Sequence, residues 1–357
     1  MILLSILLTA LAYIGSALAL IIAVYIVYMF VIAIIPGIKV PEQPMQPLRG
    51  AQRRGERPQP GSREDVSFAV KGTALHAWLY RPQGRTEAVP CIVMAHGLGG
   101  TKSAGLDGYA ARFQSAGYAV LAFDFRHLGD SEGEPRQLVW IPRQLEDYTA
   151  SVAFVRGLDG VDPNRIAVWG TSLSGGHVLV TAAKDQRIAC AVAQVPVLDG
   201  HAGGPQVVKR LGLGHVLKMG FVHGLRDLVR SWLRLTPHRV PIWGRNGTEA
   251  MLPDEGAWEA IHQMAPEGFI NSVCARIIIR MDKYRPIAQA GKIGCPVLLQ
   301  VCDKDIGLPA RVVEKAAKLL GSQAQVIHYP LDHFDIYLGD DFERAVADQL
   351  TFFRTHL

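Results

Sequence analysis

The most apolar part of the chain is its N-terminal end. Residues 1–38 carry no charged side chain, and the run from Ile2 to Ile35 is almost continuously apolar. About 20 apolar residues in a helix can cross a bilayer, so this pattern predicts a transmembrane anchor over residues 1–38. A cleavable signal peptide is the alternative, because the residues from Ser16 to Ala19 resemble a cleavage site. The anchor is favoured, since no Lys or Arg precedes the apolar run and the run continues well beyond Ala19.

A proline-rich stretch separates this segment from the rest of the chain. Residues 35–61 hold six prolines, which favours an extended linker over a packed element, and we predict this linker over residues 39–64. The N-terminal side of the apolar run is uncharged, whereas six basic residues follow it: Lys39, Arg49, Arg53, Arg54, Arg57 and Arg63. The positive-inside rule therefore predicts a single-pass membrane protein with residues 65–357 in the cytoplasm.

Beyond the linker the pattern first alternates and then changes to buried runs. The alternation on both sides of Lys71-Gly72-Thr73 predicts a β-hairpin. Short apolar runs then alternate with helix-length amphipathic segments, namely the runs 91–95, 118–123, 166–169, 188–195, 296–301 and 325–329 and the segments 108–115, 144–156 and 309–320. Strands that are apolar throughout are typical of a mainly parallel sheet covered by helices on both faces. Residues 65–357 are therefore predicted to form one α/β domain.

One long interval breaks this alternation. About 100 residues separate the strand that ends near Val195 from the strand that begins near Cys295. Since connections are usually about 4–6 residues long, we predict an inserted subdomain over about residues 197–290. Within it, the stretch from Val207 to Arg245 carries eight basic residues and one acid, Asp227. Most of the net charge of +5 lies in this stretch, and no nucleic-acid partner is predicted.

The composition suits a folded protein, because 49% of the residues are hydrophobic and 19% are charged. The five cysteines, Cys91, Cys190, Cys274, Cys295 and Cys302, form no C-x-x-C pair. At least Cys91, Cys190 and Cys302 lie in apolar, strand-like runs. We interpret them as buried thiols in a reducing compartment and not as a disulfide framework or a zinc site. No metal and no organic cofactor is expected.

Candidate chemistry begins with the stretch VWGTSLSGG, residues 168–176, which contains two serines. A buried strand ends at Gly170 and a helix begins soon after, which is the setting of a nucleophile elbow. Centred on Ser172, the frame has Gly170 two residues before the serine and Ser174 two residues after it. Centred on Ser174, the frame starts at Ser172 and not at a glycine, and the turn would begin two residues beyond the end of the strand. Ser172 is therefore the predicted nucleophile. The alternative is that this stretch is an ordinary strand–helix turn in which a serine caps the helix.

An earlier loop offers donors for an oxyanion. His96-Gly97-Leu98-Gly99-Gly100 follows the predicted strand 91–95. We predict that the backbone N–H of Leu98, together with the N–H of Leu173, forms an oxyanion hole. His96 itself is interpreted as a residue that shapes the loop.

An acid and a base follow later strands. Asp303 and Asp305 come after the run 296–301, and Asp305 is favoured because it lies in the loop before the next helix; helix capping is the alternative role for both. His328 falls within a strand, whereas His333 lies in the loop after it, where catalytic side chains of α/β sheets project. The order Ser172, Asp305, His333 is the order expected of a catalytic triad in this architecture.

These motifs resemble the α/β-hydrolase superfamily, and in particular its esterase and Xaa-Pro-dipeptidyl-peptidase-like branches. The resemblance extends from Val66 to Leu357 and rests on the HGLGG loop, FDFRHLGDSEG, GTSLSGG, CPVLLQVCDKD and LDHF. It implies an α/β-hydrolase fold, while the N-terminal span and much of the insert have no counterpart in the general pattern. Three positions depart from the common pattern, since His127, Ser174 and Cys302 stand where glycine is usual. His127 is the departure that can alter the cavity mouth.

The motifs imply a membrane-anchored serine hydrolase that cleaves carboxylic esters, including acyl lipids, through an acyl-enzyme. An amide or peptide hydrolase of the same fold and a non-catalytic membrane receptor or scaffold are the alternatives. The expected partners are a small-molecule ester or acyl lipid and the membrane.

The insert is predicted to be a lid over Ser172, because it leaves the sheet at the edge that carries the active site. Its basic stretch, interleaved with apolar residues, suits an interfacial amphipathic helix facing anionic headgroups. A solvated basic face over an ordinary core explains the same pattern equally well.

Overall fold

The structure is a computed structural model that describes residues 2–34, 63–84, 87–305, 307 and 309–357. It begins with a helix, α1 (Ile2–Ile34), which is long and apolar enough to cross a membrane. The predicted linker lies outside the described residues except for its end, because β1 begins at Arg63, two residues before the predicted domain boundary.

The predicted hairpin is confirmed. Strands β1 (Arg63–Val70) and β2 (Thr73–Tyr80) pair antiparallel through a two-residue turn. Lys71 and Gly72 both have positive φ, 51° and 82°, which is the geometry of a turn that matches the twist of the flanking strands.

The mainly parallel sheet covered by helices is also confirmed. The elements that follow the hairpin are β3 (Val89–Ala95), α2 (Leu106–Ser115), β4 (Ala119–Phe123), α3 (Ile141–Arg156), β5 (Val161–Thr171), α4 (Leu173–Lys184) and β6 (Cys190–Gln194). Two more strands join this sheet after the insert, β11 (Val297–Cys302) and β12 (Ala324–Tyr329). In the described part of the chain, the eight strands of this sheet stand in the order β1-β2-β4-β3-β5-β6-β11-β12, and neighbours from β4 to β12 pair parallel.

The insert between β6 and β11 contains several short elements. They are α5 (Gly200–Leu211), α6 (Leu213–Leu217), a π-helical turn (Lys218–Gly224), α7 (Leu225–Trp232), β7 (Arg239–Pro241), β8 (Trp243–Gly244), β9 (Leu252–Pro253), α8 (Glu255–Met264), β10 (Ser272–Cys274) and α9 (Ile278–Met281). The chain then returns to the sheet with β11 (Val297–Cys302), α10 (Ala310–Leu320), β12 (Ala324–Tyr329) and α11 (Gly339–His356). The helix α11 lies in a region for which the sequence analysis makes no prediction.

The core lies on both faces of the sheet. In β3, Val93 packs in the core cluster shared with α3, α4 and α10, whereas Ile92 and Met94 pack in the cluster shared with α2 and α11. Alternate residues of a strand point to opposite faces, and both faces are covered, so the strand is apolar at every position.

The basic stretch of the insert does not form one continuous helical face. Arg226 is buried, and Arg210, Lys218 and Arg245 form ion pairs with Asp254, Glu249 and Glu255 of the insert. The stretch folds as α5, α6, the π-helical turn and α7, followed by β7 and β8, and three of its eight basic side chains form these ion pairs. That its basic residues face anionic headgroups stays a prediction.

Candidate active site

The turn between β5 and α4 holds Ser172 in a strained conformation. Its φ and ψ are 54° and −115°, a region that non-glycine residues rarely occupy and that costs about 1–3 kcal/mol. The N–H of Ser172 donates to the carbonyl of Gln194 at 2.9 Å, which fastens the turn to β6. A Cβ at Gly170 would lie 2.3 Å from the carbonyl oxygen of Ser174. The tight turn therefore requires glycine at position 170.

Ser174 lies in the same turn but faces the protein interior. Its side chain is fully buried, its Oγ donates to the carbonyl of Ala95 at 2.7 Å, and it accepts from the N–H of Thr171 at 2.9 Å. These bonds tie the turn to the end of β3. Ser172, by contrast, lines the large cavity described below.

Asp305 and His333 are brought together from the loops after β11 and β12. The Nδ1 of His333 lies 2.5 Å from Oδ2 of Asp305, and the other carboxylate oxygen accepts from the N–H of Gly307 at 2.9 Å. The Asp305 side chain is 5% exposed and that of His333 is 16% exposed. Both residues line the same cavity as Ser172.

The alternative acid and base, Asp303 and His328, also contact each other, but they lie away from the cavity. Nδ1 of His328 lies 2.7 Å from Oδ1 of Asp303, and the two side chains are 42% and 43% exposed. Neither residue is among those that line the cavity.

The loop after β3 lies directly against the elbow. A Cβ at Gly97 would lie 2.9 Å from the Cβ of Ser172, so only glycine fits there without a shift. Leu98 and Leu173 both line the cavity, and among the described residues their backbone N–H groups have no acceptor. Two such groups beside a strained serine are suited to binding a negatively charged oxygen.

His96 belongs to the structure of this loop. Its ring is buried, packs edge-on against Phe125 at 5.1 Å between centroids, and contacts the carbonyl of Gly97 through Nδ1 at 3.0 Å. Burial lowers the pKa of this imidazole. The nearby Asp124 binds Lys102, with Nζ and Oδ2 2.7 Å apart, so this carboxylate neutralises a buried cation.

His127 does not lie at the cavity mouth. It is buried with a φ of 75°, is absent from the cavity lining, and contacts Arg143 through Nε2 at 2.8 Å. Burial and the Arg143 charge lower its pKa to about 4. The departure from glycine at this position therefore changes a turn beside the sheet and not the site.

The cavity above Ser172 has a volume of about 640 Å³ and is lined by both the sheet edge and the insert. The insert contributes mostly apolar side chains, among them Val207, Leu211, Val216, Met219, Trp243 and Ile261. A cavity of this size and polarity suits an acyl chain or another apolar group of comparable size.

The sequence analysis missed the contribution of Tyr337, which also lines the cavity. Its hydroxyl forms a short hydrogen bond with Oγ1 of Thr171, just before the elbow. Tyr337 follows His333 by four residues in a 3₁₀ turn, and no motif marks it.

In the described part of the chain, no three His, Cys, Asp or Glu side chains are arranged to hold a metal ion. The five cysteines are all free and buried, and burial raises the pKa of every one of these thiols. No thiol therefore has the depressed pKa of a reactive nucleophile.

Comparisons with known proteins agree with this geometry. The model of the X-Pro dipeptidyl-peptidase (S15) family matches residues 71–212. The quorum-quenching protein AidA of Acinetobacter baumannii is 40% identical over 297 residues, which is 81% of this chain and 94% of AidA. The chain belongs to the α/β-hydrolase superfamily. Within it, the chain is a member of the family that includes AidA, and the resemblance noted in the sequence is confirmed.

Two further comparisons concern a curated relative and a solved structure. The polyketide transferase ATR5 of Stachybotrys chlorohalonatus is 38% identical over 312 residues, 83% of this chain and 98% of that protein. The crystal structure of the α/β hydrolase GrgF from Penicillium sp. sh18 superposes with a TM-score of 0.69 and 23% identity, covering 83% of this chain and 99% of GrgF. At that identity the superposition shows the fold alone.

Proposed function

We propose that this α/β hydrolase is a membrane-anchored serine hydrolase that cleaves carboxylic esters, acyl lipids among them, with Ser172, His333 and Asp305 as its catalytic triad. The observation that carries the proposal is the buried pair of His333 and Asp305, 2.5 Å apart, on the same cavity as the strained Ser172. A scaffold with no chemistry gives no reason to hold a serine in this conformation.

In the acylation step, Oγ of Ser172 attacks the ester carbonyl carbon while its proton passes to Nε2 of His333. Asp305 holds Nδ1 of the ring and stabilises the imidazolium that forms. The tetrahedral intermediate then collapses, the bond to the alcohol oxygen breaks, and His333 returns the proton to the leaving alcohol. The acyl group remains on Ser172 as an ester.

In the deacylation step, His333 removes a proton from water, and the resulting hydroxide attacks the acyl-enzyme. Collapse of the second intermediate releases the carboxylic acid and returns the proton to Ser172. The backbone N–H groups of Leu98 and Leu173 bind the oxyanion in both steps, and each such donor contributes about 2.7–4 kcal/mol in comparable sites.

The lining of the cavity supports an apolar acyl substrate. Most of the side chains that the insert contributes are apolar, as the lining residues described above illustrate. The relatives named for quorum quenching and for polyketide transfer are compatible with a small-molecule acyl substrate. Esters are preferred over amides because their leaving groups need less protonation.

The apolar helix α1 supports anchorage over a removed signal sequence. Cleavage after Ala19 would leave the apolar half of α1 from Leu20 to Ile34 attached to the domain. Large side chains of that half, such as Ile21 and Val24, are 64% and 61% exposed in the protein, and they would then face water. An intact helix in a bilayer buries them instead. The basic residues after α1 favour a cytoplasmic hydrolase domain.

The triad is tested by labelling the full chain with a fluorophosphonate probe. The wild-type and Ser174→Ala proteins are expected to be labelled, and Ser172→Ala is expected to lose both labelling and ester hydrolysis. Full labelling of Ser172→Ala would refute the assignment of the nucleophile. Absence of labelling in the wild-type protein would favour a scaffold.

A panel of aryl esters of increasing chain length defines the substrate. Rates that rise with chain length support an apolar acyl site. A matched aryl amide tests the peptidase alternative, and amide cleavage at rates equal to those of the ester would overturn the ester preference.

A further inference from the structure

Exposed large apolar side chains are concentrated in one part of the insert. Outside α1, eight such side chains occur among the described residues, and six of them lie between positions 213 and 235: Leu213, Leu217, Phe221, Trp232, Leu233 and Leu235. Scattered exposed apolar residues are normal, but a contiguous group indicates a surface that something covers.

Three of these residues form a stripe. Leu213, Leu217 and Phe221 follow each other at intervals of four residues along α6 and the π-helical turn, and they are 58%, 44% and 53% exposed. Side chains at this spacing lie on one face of a helical segment. Residues 213–221 thus present an apolar outer face, which we call the lid stripe.

The opposite face of the same segment lines the catalytic cavity. Val216 and Met219, which alternate with the stripe residues, are both part of the cavity wall. At this point only one helical layer separates the cavity from the outer surface. The layer also contains Gly214 and Gly220, where an added Cβ would meet nothing within 4 Å. Each glycine inside a helix lowers helix stability by about 1 kcal/mol relative to alanine, so this part of the cavity wall is a helix of low intrinsic stability.

The transmembrane helix meets the insert at the end of this stripe. The hydroxyl of Tyr25 donates to the carbonyl of Phe221 at 3.2 Å, and the two rings pack edge-on at 6.3 Å between centroids. Further along α1, Met29 and Ala33 are buried, and Arg230 of α7 donates to the carbonyl of Ala33. The last third of α1 is therefore packed on the insert.

The length of α1 defines where the membrane surface lies. Its 33 residues extend about 50 Å, whereas a hydrocarbon core of about 30 Å needs only about 20 residues. The surplus of roughly a dozen residues corresponds to the part from Tyr25 onwards that packs on the insert. On the proposed anchorage, the residues from Leu4 to Val24, whose side chains are exposed in the structure, span the bilayer. Tyr25 and Tyr28 then stand at the interface, where aromatic side chains are enriched.

We infer that the lid stripe rests in the interface of the membrane that holds α1, and that the acyl chain of the substrate enters the cavity from this bilayer across residues 211–221. The occupant of the stripe is the lipid bilayer, because the stripe ends at Phe221, which contacts Tyr25 where α1 leaves the bilayer. The inference rests on the proposed function and adds the physical source of the substrate: a lipid-phase ester and not one dissolved in water.

The entry route is tested with the full chain in phosphatidylcholine vesicles. Two fluorogenic esters serve as probes, a long-chain oleate ester held in the vesicles and a water-soluble acetate ester. The double variant Leu213→Glu/Leu217→Glu is expected to lose about tenfold or more on the oleate ester, because charged side chains oppose insertion. Its rate on the acetate ester should stay within about twofold, since neither residue lines the cavity.

The matched control is Leu319→Glu, an apolar residue of α10 with 48% exposure that lies outside the insert. It should leave both rates within about twofold. Equal losses on both esters in the double variant would show a merely structural effect, and an unchanged oleate rate would refute entry from the bilayer.

A measurement of depth separates this inference from the proposed function. An environment-sensitive dye attached to Leu217→Cys should be quenched by spin-labelled lipids, whereas the same dye on Leu319→Cys should not be. The native cysteines are buried, and dye uptake by the parent protein measures any background labelling. Failure of all ester hydrolysis with quenching at position 217 would refute the hydrolase and keep the membrane contact. Absence of quenching would refute the contact.

Discussion

Two Asp–His pairs lie at or beyond the ends of the same two strands, β11 and β12, and they differ in their surroundings. His333 and Asp305 are 2.5 Å apart, mostly buried and on the cavity of Ser172. His328 and Asp303 are 2.7 Å apart, nearly half exposed and away from that cavity. The hydrogen bond is almost the same in both, so it does not by itself mark a site.

The difference follows from position along the strands. His328 lies within β12, the edge strand of the sheet, and its side chain is on the exposed face. His333 lies beyond the end of β12, where the loops of parallel strands meet the start of α4. A catalytic pair needs a nucleophile and a sheltered cavity as well as its own bond. The following predictions compare the two pairs and the groups around them.

The largest expected difference concerns the two histidines. His333→Ala should lower the turnover of an aryl ester by about 10⁴ or more, because no other group then accepts the Ser172 proton. His328→Ala should leave it within about twofold. Steady-state rates together with near-ultraviolet circular dichroism distinguish lost chemistry from lost folding. A reversed result would transfer the role of the base to His328.

The two acids come next. Asp305→Asn should lower turnover by about 10³–10⁴, because the amide favours the wrong tautomer of His333 and cannot stabilise its imidazolium. Asp303→Asn is the matched control and should change turnover by no more than about twofold. Comparable losses in both variants would mean that the exposed pair takes part in catalysis.

A smaller effect is expected at the loop that contacts the serine. Gly97→Ala would place a Cβ 2.9 Å from that of Ser172, and a displacement of this kind can cost about 10–100-fold in rate. Gly157→Ala is the control, because its added Cβ meets only an ordinary contact at 3.6 Å. Rates for Gly97→Ala equal to those of the control would show that the loop accommodates the added methyl group without displacing Ser172.

The smallest effect concerns the pH dependence of folding stability that a buried histidine causes. The pKa of His127 is lowered to about 4. Between the ordinary value of about 6.5 and this value, the unfolded chain binds a proton that the folded chain does not, so folding stability falls as the pH drops from 6.5 to 4.

His127→Asn should reduce the acid-induced fall in melting temperature by about 2–4 °C, since asparagine tolerates the positive φ at this position and carries no proton. Thermal unfolding of the full chain in detergent between pH 7 and 4.5 measures this fall. An acid-induced fall that is the same in His127→Asn as in the wild-type protein would contradict the role of burial.

Much of the sheet was predictable because its signal is local. Each parallel strand is buried on both faces, so runs such as Cys91 to Ala95 are apolar at every position and stand out from the amphipathic helices. The elbow was predictable for a related reason, since the sharp turn needs a glycine at the end of a buried strand, and Gly170 lies one residue before the end of β5 and has no room for a Cβ. The catalytic roles of Ser172, Asp305 and His333 stay predictions.

The insert was predictable only as an interruption. Its elements are short, and its residues divide their contacts among the cavity, α1 and the outer surface, so no single period runs through the sequence. Arg226 shows the consequence: by pattern it belongs to a basic face, yet it is one of the buried residues of α7.

The sequence by itself determined the apolar N-terminal helix, the parallel sheet and the candidate nucleophile, because each depends on neighbouring residues and on burial that repeats along the chain. Only the tertiary structure decided which acid pairs with which base, since both choices satisfy the same local pattern and differ in what surrounds them. It also brought Tyr25 against Phe221, 196 residues apart in sequence. Contacts at that separation depend on how packed elements meet in space, which no local pattern records.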